Sequence, residues 1–201
     1  MIQTILDGGL VMVPIGLCSL VALAAFFERI WTLRRSRVVP RSFVQSVLKL
    51  VRAGQCDEAL AYCRKRDLPV ARLFETAIEL RHMERSEIKE RLEEVGRREA
   101  AELERVIPVV GTIASVAPLL GLLGTVGGMI STFAVIQAKG LGQIDSMAGG
   151  ISQALITTFA GLCVGIPAVM GNRYLLARVD MLLLGLEEAS VDVLDALGEE
   201  R

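Results

Sequence analysis

Ala117-Pro-Leu-Leu-Gly-Leu-Leu-Gly-Thr-Val126 lies inside a run of 33 residues, 106–138, that carries no charge between Arg105 and Lys139. A helix needs roughly 20 apolar residues to cross a hydrocarbon core of about 30 Å. As one helix, at about 1.5 Å per residue, this run reaches roughly 50 Å and protrudes from a bilayer. Glycines and hydroxyl side chains mark it, and nothing in it can hold a proton.

Two further uncharged runs flank it. Residues 8–27 give 20 positions between Asp7 and Glu28, and residues 146–172 give 27 between Asp145 and Arg173. With 52% hydrophobic residues and a positive mean hydropathy, the pattern predicts an all-α integral membrane protein with three transmembrane helices. The first run has no basic residue before it and no small-residue cleavage site before the arginines that follow. It reads as a retained span and not as a signal peptide.

Arg29, Arg34, Arg35, Arg37 and Arg41 follow the first run closely, and no basic side chain precedes it. The positive-inside rule then places the N-terminus outside and the arginines in the cytoplasm. The expected order is an outer N-terminus and first span (1–27), a cytoplasmic helical segment (28–105) and a second span (106–138). A short outer loop (139–145), with Gly140 and Gly142 easing its turn, leads to a third span (146–172) and a cytoplasmic C-terminal helix (173–201). The loop 28–105 holds 18 basic and 14 acidic residues, and the tail 173–201 holds 3 and 7. The two can pair, or each can be a solvated helix surface; the overall charge of −1 hides the split.

The cytoplasmic segment reads as helices extending from the membrane. Phe43, Val44, Val47, Leu48 and Val51 recur at helical spacing, with Gly54 as a stop. Residues 57–66 suit a short helix ended by Pro69. Ser86 suits the N-cap of a charged helix from Glu87, supported by Glu87–Arg91 and Glu94–Arg98 pairs. Gly96 weakens that helix, yet no proline interrupts it before Pro108, so it is expected to run into the second span as one rod.

Most other chemistries fall away. Cys18 and Cys163 lie in spans, Cys56 and Cys63 form no C-x-x-C pair, and one histidine, His82, supplies too little for a metal site. The glycines from Gly121 to Gly128 lack the Gly-Lys-Ser/Thr ending of a phosphate loop. No serine sits in a nucleophile elbow. Aromatic residues are 4% of the chain and no domain is strongly basic, which speaks against nucleic acid. The expectation is neither an enzyme nor a cofactor or metal protein.

What remains is a set of polar and small residues inside the spans. Thr125 and Thr132 are seven apart and share a helix face with Pro118. Ser152, Gln153, Thr157 and Thr158 cluster on the third span. Gly124-x-x-x-Gly128 and Gly161-x-x-x-Gly165 permit close helix approach. Ser131, Ser152 and Thr157 suit hydroxyls bonded to their own helix. Thr125 and Thr158, on adjacent helices, are the stronger candidates for function.

Two blocks carry a specific resemblance: Ala117-Pro-Leu-Leu-Gly-Leu-Leu-Gly-Thr-Val-Gly-Gly-Met-Ile130, and Gly150-Ile-Ser-Gln-Ala-Leu-Ile-Thr-Thr-Phe-Ala-Gly-Leu162 with Ile166-Pro-Ala168. Together they resemble the MotA/TolQ/ExbB proton-channel family, over about residues 85–180, and ExbB and TolQ more than the four-span MotA. The resemblance implies a pentamer of this chain around single-span partners of the ExbD or TolR kind, whose membrane aspartate takes the proton. It implies work delivered to a TonB-like or TolA-like protein at the inner membrane. Thr125 and Thr158 match the family threonines. Gln153 stands where many ExbB and TolQ chains have glutamate, and an amide cannot exchange a proton near neutral pH.

A buried carboxylate in a membrane is costly and usually functional. None of the three runs has one, so a proton path here needs its titrating group from the partner. The expected pathway residues are Thr125, Thr158, Gln153 and Thr132. The leading function is the channel-forming subunit of an ion-driven envelope motor, ExbB-like, with a TolQ-like role in envelope integrity as the nearest alternative. A membrane scaffold that conducts nothing is a second alternative. A substrate transporter would need a midplane site and repeated bundles. Proton coupling is favoured by the resemblance, whereas sodium would need several oxygen ligands at short distance.

Overall fold

The computed structural model describes residues 9–139 and 144–199. The first eight residues, and Gly140 and Gly142 of the expected outer loop, lie outside that range. The described residues form eight helices: α1 Met12–Thr32, α2 Arg35–Val38, α3 Arg41–Arg52, α4 Cys56–Arg64, α5 Pro69–Glu79, α6 Arg85–Glu104, α7 Ile107–Lys139 and α8 Ile144–Glu199. No strand occurs among them. Helices α1, α7 and α8 are long and apolar enough to cross a membrane. The chain is an all-α membrane protein.

Its contacts divide it into two units, Met1–Glu28 with Val106–Tyr174, and Arg29–Arg105 with Leu175–Arg201. Each boundary falls within two residues of where charged side chains resume. The first unit holds the uncharged runs. In it α1 and α8 run parallel, with Gly9 against Gln153 and Phe26 against Gly171. Helix α7 runs antiparallel to α8, with Gly111 against Asn172 and Thr132 against Gly150. Ile15 and Ala22 form the buried side of α1, while Val13, Leu17, Leu20, Leu23 and Phe27 are exposed. That outward side suits lipid.

Pro118 interrupts α7, since its ring nitrogen cannot donate to the Ala114 carbonyl. Gly165 makes room for the ring: a Cβ there would lie 2.5 Å from Pro118 Cγ.

The second unit is a helical core of ordinary soluble type. Phe43 stacks on Tyr62 with ring centroids 5.3 Å apart and on Phe74 at 6.4 Å. Val47, Val51, Ala59, Val70, Phe74 and Ile78 are buried. Cys63 belongs to this core: burial, and then the negative charge of Glu75, push its thiol up to about 12, so it stays protonated. Glu99 is buried and meets the Arg72 guanidinium twice, at 2.6 Å each, the bidentate form that makes a buried carboxylate tolerable. Arg72 is held more basic than usual, first by that bond.

Gly54 closes α3 as its spacing implies. Its φ is +73°, and two bonds of 3.0 Å, Gln55 N–H to the Leu50 carbonyl and Gly54 N–H to Val51, complete a Schellman cap.

Four local expectations change. Helix α5 was not foreseen: Pro69 opens a helix at its first turn, where a missing N–H does no harm, and does not merely end the one before. The cap of α6 is Glu84, not Ser86; Glu84 and Glu87 form a reciprocal capping box. Arg91 accordingly pairs with Glu94 at 3.1 Å and not with Glu87, while Glu94–Arg98 forms at 2.6 Å. The rod into the second span is broken at residues 105–106, because Pro108 cannot bond the Glu104 carbonyl and its ring crowds it. Arg29, itself buried, donates from Nη1 to the Leu103 carbonyl at 3.2 Å and to Glu102 at 3.5 Å, covering acceptors at that broken end.

Two glycines in this unit should respond oppositely to the same change. Gly54→Ala puts a Cβ on left-handed backbone and lowers stability by about 1–2 kcal/mol. Gly96 sits inside α6, and a Cβ there would meet nothing within 4 Å, so Gly96→Ala stabilises by about 1 kcal/mol. Thermal unfolding followed by circular dichroism checks this; shifts of the same sign would contradict the capping role of Gly54.

Candidate functional site

The facing sides of α7 and α8 repeat small residues at alternating steps of three and four, as two helices in a knobs-into-holes seam require. On α7 the positions are Ala114, Ala117, Gly121, Gly124 and Gly128; on α8 they are Gly150, Ala154, Thr157, Gly161 and Gly165. The meshing is close enough for backbone to touch backbone. A Cβ at Gly161 would fall 2.6 Å from the Ala117 carbonyl oxygen and 2.9 Å from Gly121 Cα. One at Gly124 would meet Thr157 Cβ at 2.6 Å, and one at Gly128 would meet Ala154 Cβ at 2.9 Å. Gly165 takes the Pro118 ring, so all four glycines expected at the helix contact lie in this seam.

At its centre the structure brings Thr125 and Thr158 together. The Thr158 hydroxyl donates to the Gly121 carbonyl on the other helix at 3.0 Å, and its oxygen is 3.4 Å from Thr125 Oγ1. Thr125 donates to the Leu122 carbonyl at 2.6 Å. Thr158 thus has one proton and two acceptors in reach, and both hydroxyl oxygens keep lone pairs for a further donor. Both side chains are half-buried, neither sealed in the seam nor fully outside. Such a pair can accept a hydrogen bond from a protonated carboxyl or water, and can turn a proton toward an ionised one.

The remaining expected pathway residues sit elsewhere. Thr132 is buried, bonds the Gly128 carbonyl of its own helix at 2.9 Å, and packs against Gly150. Gln153 lies toward α1: a Cβ at Gly9 would collide with its Nε2. Thr157 is buried and donates to the carbonyls of Ala154 at 2.8 Å and Gln153 at 3.1 Å, within its own helix.

Sequence reasoning missed Gly121, which supplies both the acceptor for Thr158 and the closest approach. The signal was present as Gly121-x-x-Gly124-x-x-x-Gly128, a three-four step on one helix face. It also missed the Asn172 amide against Gly111, where a Cβ would lie 3.2 Å from Oδ1.

Residues 65–188 match the model of the MotA/TolQ/ExbB proton channel family. The chain is 34% identical over its whole length to a putative biopolymer transport protein ExbB-like 1 of Synechocystis sp., covering 77% of that relative. It is 41% identical over 93 residues to a biopolymer transport protein ExbB of Xanthomonas campestris, 46% of this chain and 37% of the relative. It is also 41% identical over 83 residues to a Tol-Pal system protein TolQ of Haemophilus influenzae, 41% of this chain and 36% of the relative. With over half its length matched to the family model, and all of it to an ExbB-like relative, the chain belongs to the MotA/TolQ/ExbB proton channel family.

Proposed function

We propose that this chain is the channel-forming subunit of a proton-driven motor complex of the bacterial inner membrane, ExbB-like, energising TonB-dependent transport across the outer membrane. The observation that carries the reading is the Thr125–Thr158 hydroxyl pair at a seam between two spans that hold no titratable carboxylate. A proton path needs a group that binds and releases protons, and a single-span partner of the ExbD kind would supply it as a membrane aspartate. The two hydroxyls then solvate that carboxyl in both its charge states.

The arrangement is a ring, a homopentamer, with α7 and α8 toward the central space and α1 toward lipid. The exposed apolar side of α1 supports this, as does the placement of the threonines on the other two spans. The N-terminus is outside, and residues 28–105 and 173–201 are cytoplasmic. The parallel course of α1 and α8, with α7 opposed, agrees with two inward spans and one outward span. The comparable identity to a TolQ protein over the spans keeps a TolQ-like role as the second reading. Co-purification with a TonB-like or a TolA-like protein separates the two.

Replacing Thr158 or Thr125 by valine keeps the shape and removes the hydroxyl. Loss of a hydrogen bond to a charged group is worth roughly 1.5–3 kcal/mol, about tenfold or more in an equilibrium. Assembly with the partner should therefore survive while proton-driven transport falls at least about tenfold, and Gln153→Ala should do less. Gly161→Val should instead disrupt assembly, because its side chain enters the α7 backbone. Full transport in both valine variants, with normal partner binding, would leave the threonines as packing residues.

Native mass spectrometry of the purified chain should give a pentamer; a stable monomer or dimer contradicts the ring. In cells, a single cysteine at position 90, in a background without the native four, should resist an impermeant thiol reagent applied from outside. Labelling there would reverse the topology.

A further inference from the structure

Residues 29–56 contain Arg29, Arg34, Arg35, Arg37, Arg41, Lys49 and Arg52, and no acidic residue. Elsewhere in the same unit guanidinium groups find carboxylates: Arg64 meets Glu75 and Glu79, Arg81 meets Asp57, and Arg85 meets Asp195. Among the described residues no carboxylate pairs with Arg34, Arg35, Arg37 or Arg41, and all four are exposed. Arg29 is the exception in the segment, buried and spent on the carbonyls that end α6.

This cluster has a built geometry. Arg37 folds back so that its guanidinium carbon lies 5.6 Å from the centre of the Trp31 ring. Trp31 is 61% exposed and sits in the last turn of α1, a helix able to cross a membrane. The next residue but one, Leu33, receives a hydrogen bond at its carbonyl from Arg178 Nε of α8, at 3.3 Å. A further guanidinium from a second element is thereby brought beside Arg34.

Charge bias alone explains an orientation, and lysine would serve it as well as arginine. It does not explain an exposed tryptophan under a guanidinium, or a fifth arginine drawn in from α8. Tryptophan favours the headgroup level of a bilayer, and arginine forks match the oxygens of a phosphodiester. Trp31 belongs to the end of a membrane helix, which favours a lipid over a nucleic acid as the source of the phosphate.

We propose that Trp31, Arg34, Arg35 and Arg37, with Arg178, form a binding site for the headgroup of an anionic phospholipid in the leaflet at the C-terminal end of α1. The site is independent of the threonine pair and of the motor function.

The full chain, reconstituted in nanodiscs of equal phosphatidylglycerol and phosphatidylethanolamine, is released and its retained lipids are counted by native mass spectrometry. Phosphatidylglycerol should be retained in preference, and Arg34→Gln, Arg35→Gln and Arg37→Gln together should abolish the preference. Arg37→Gln alone leaves enough basic residues to keep the insertion, and should lower the preference about fivefold. Lys89→Gln with Arg97→Gln, on α6, should leave it unchanged. Equal retention of both lipids by the unaltered chain overturns the proposal. So does an unaltered preference in the Arg37 variant, or displacement of the lipid by inorganic phosphate or a short RNA.

Discussion

The absence of a side chain at Gly161 governs the first unit. A methyl group there would reach within 2.6 Å of the Ala117 carbonyl, well inside van der Waals contact. Helices α7 and α8 can approach only because that atom is missing, and only at that approach does the Thr158 hydroxyl span the gap to the Gly121 carbonyl. In a bilayer the apolar effect gives little reason for two helices to associate, so contact area and interhelical hydrogen bonds must do it. The glycines therefore serve twice: they let dispersion act over short distances, and they set the hydroxyls where they meet. Packing and site chemistry at this seam are not separable, which is why a bulky residue and an isosteric one at neighbouring positions have different consequences.

The proline-made ends impose a second discipline. Pro108 halts α6 next to an apolar run, freeing carbonyls that the interior of a membrane would leave unsatisfied. Arg29 covers two of them, and Arg178 does the same for the Leu33 carbonyl just beyond α1. Guanidinium groups thus act here as caps for backbone as well as topological charges. Pro118 solves the same problem differently, by lying within a seam where Gly165 admits its ring.

The three spans and the threonine pair were legible because charge-free length and hydroxyl placement are local properties of the string. The continuity of α8 from Ile144 to Glu199 was not. Charges resume at Arg173, which marks where the apolar run ends and says nothing about where the helix does. Helix α5 was obscured because proline is both a terminator and a good first residue. Ser86 lost the cap to Glu84 because a carboxylate can do the same work when Glu87 answers it three residues later. Gln153 was placed with the threonines from sequence nearness alone; five positions from Thr158 on a helix, it points to a different neighbour, here α1.

The preference for hydroxyls over a carboxylate in these spans follows from desolvation. An ionised side chain within hydrocarbon costs several kcal/mol and must be paired at all times. A threonine can satisfy itself from a carbonyl of its own helix, as Thr125 does from Leu122. It then remains available without charging the membrane when no partner is present. The same hydroxyl accepts from a protonated carboxyl and donates to an ionised one after a rotation about a single bond. A fixed charge would favour one of those states strongly and hold it. Two neutral rotors at a half-buried seam favour neither by much, which is the condition a group must meet if it is to load and unload a proton in the same place. On the proposed reading the chain keeps its spans uncharged so that the only titrating group is the one that moves.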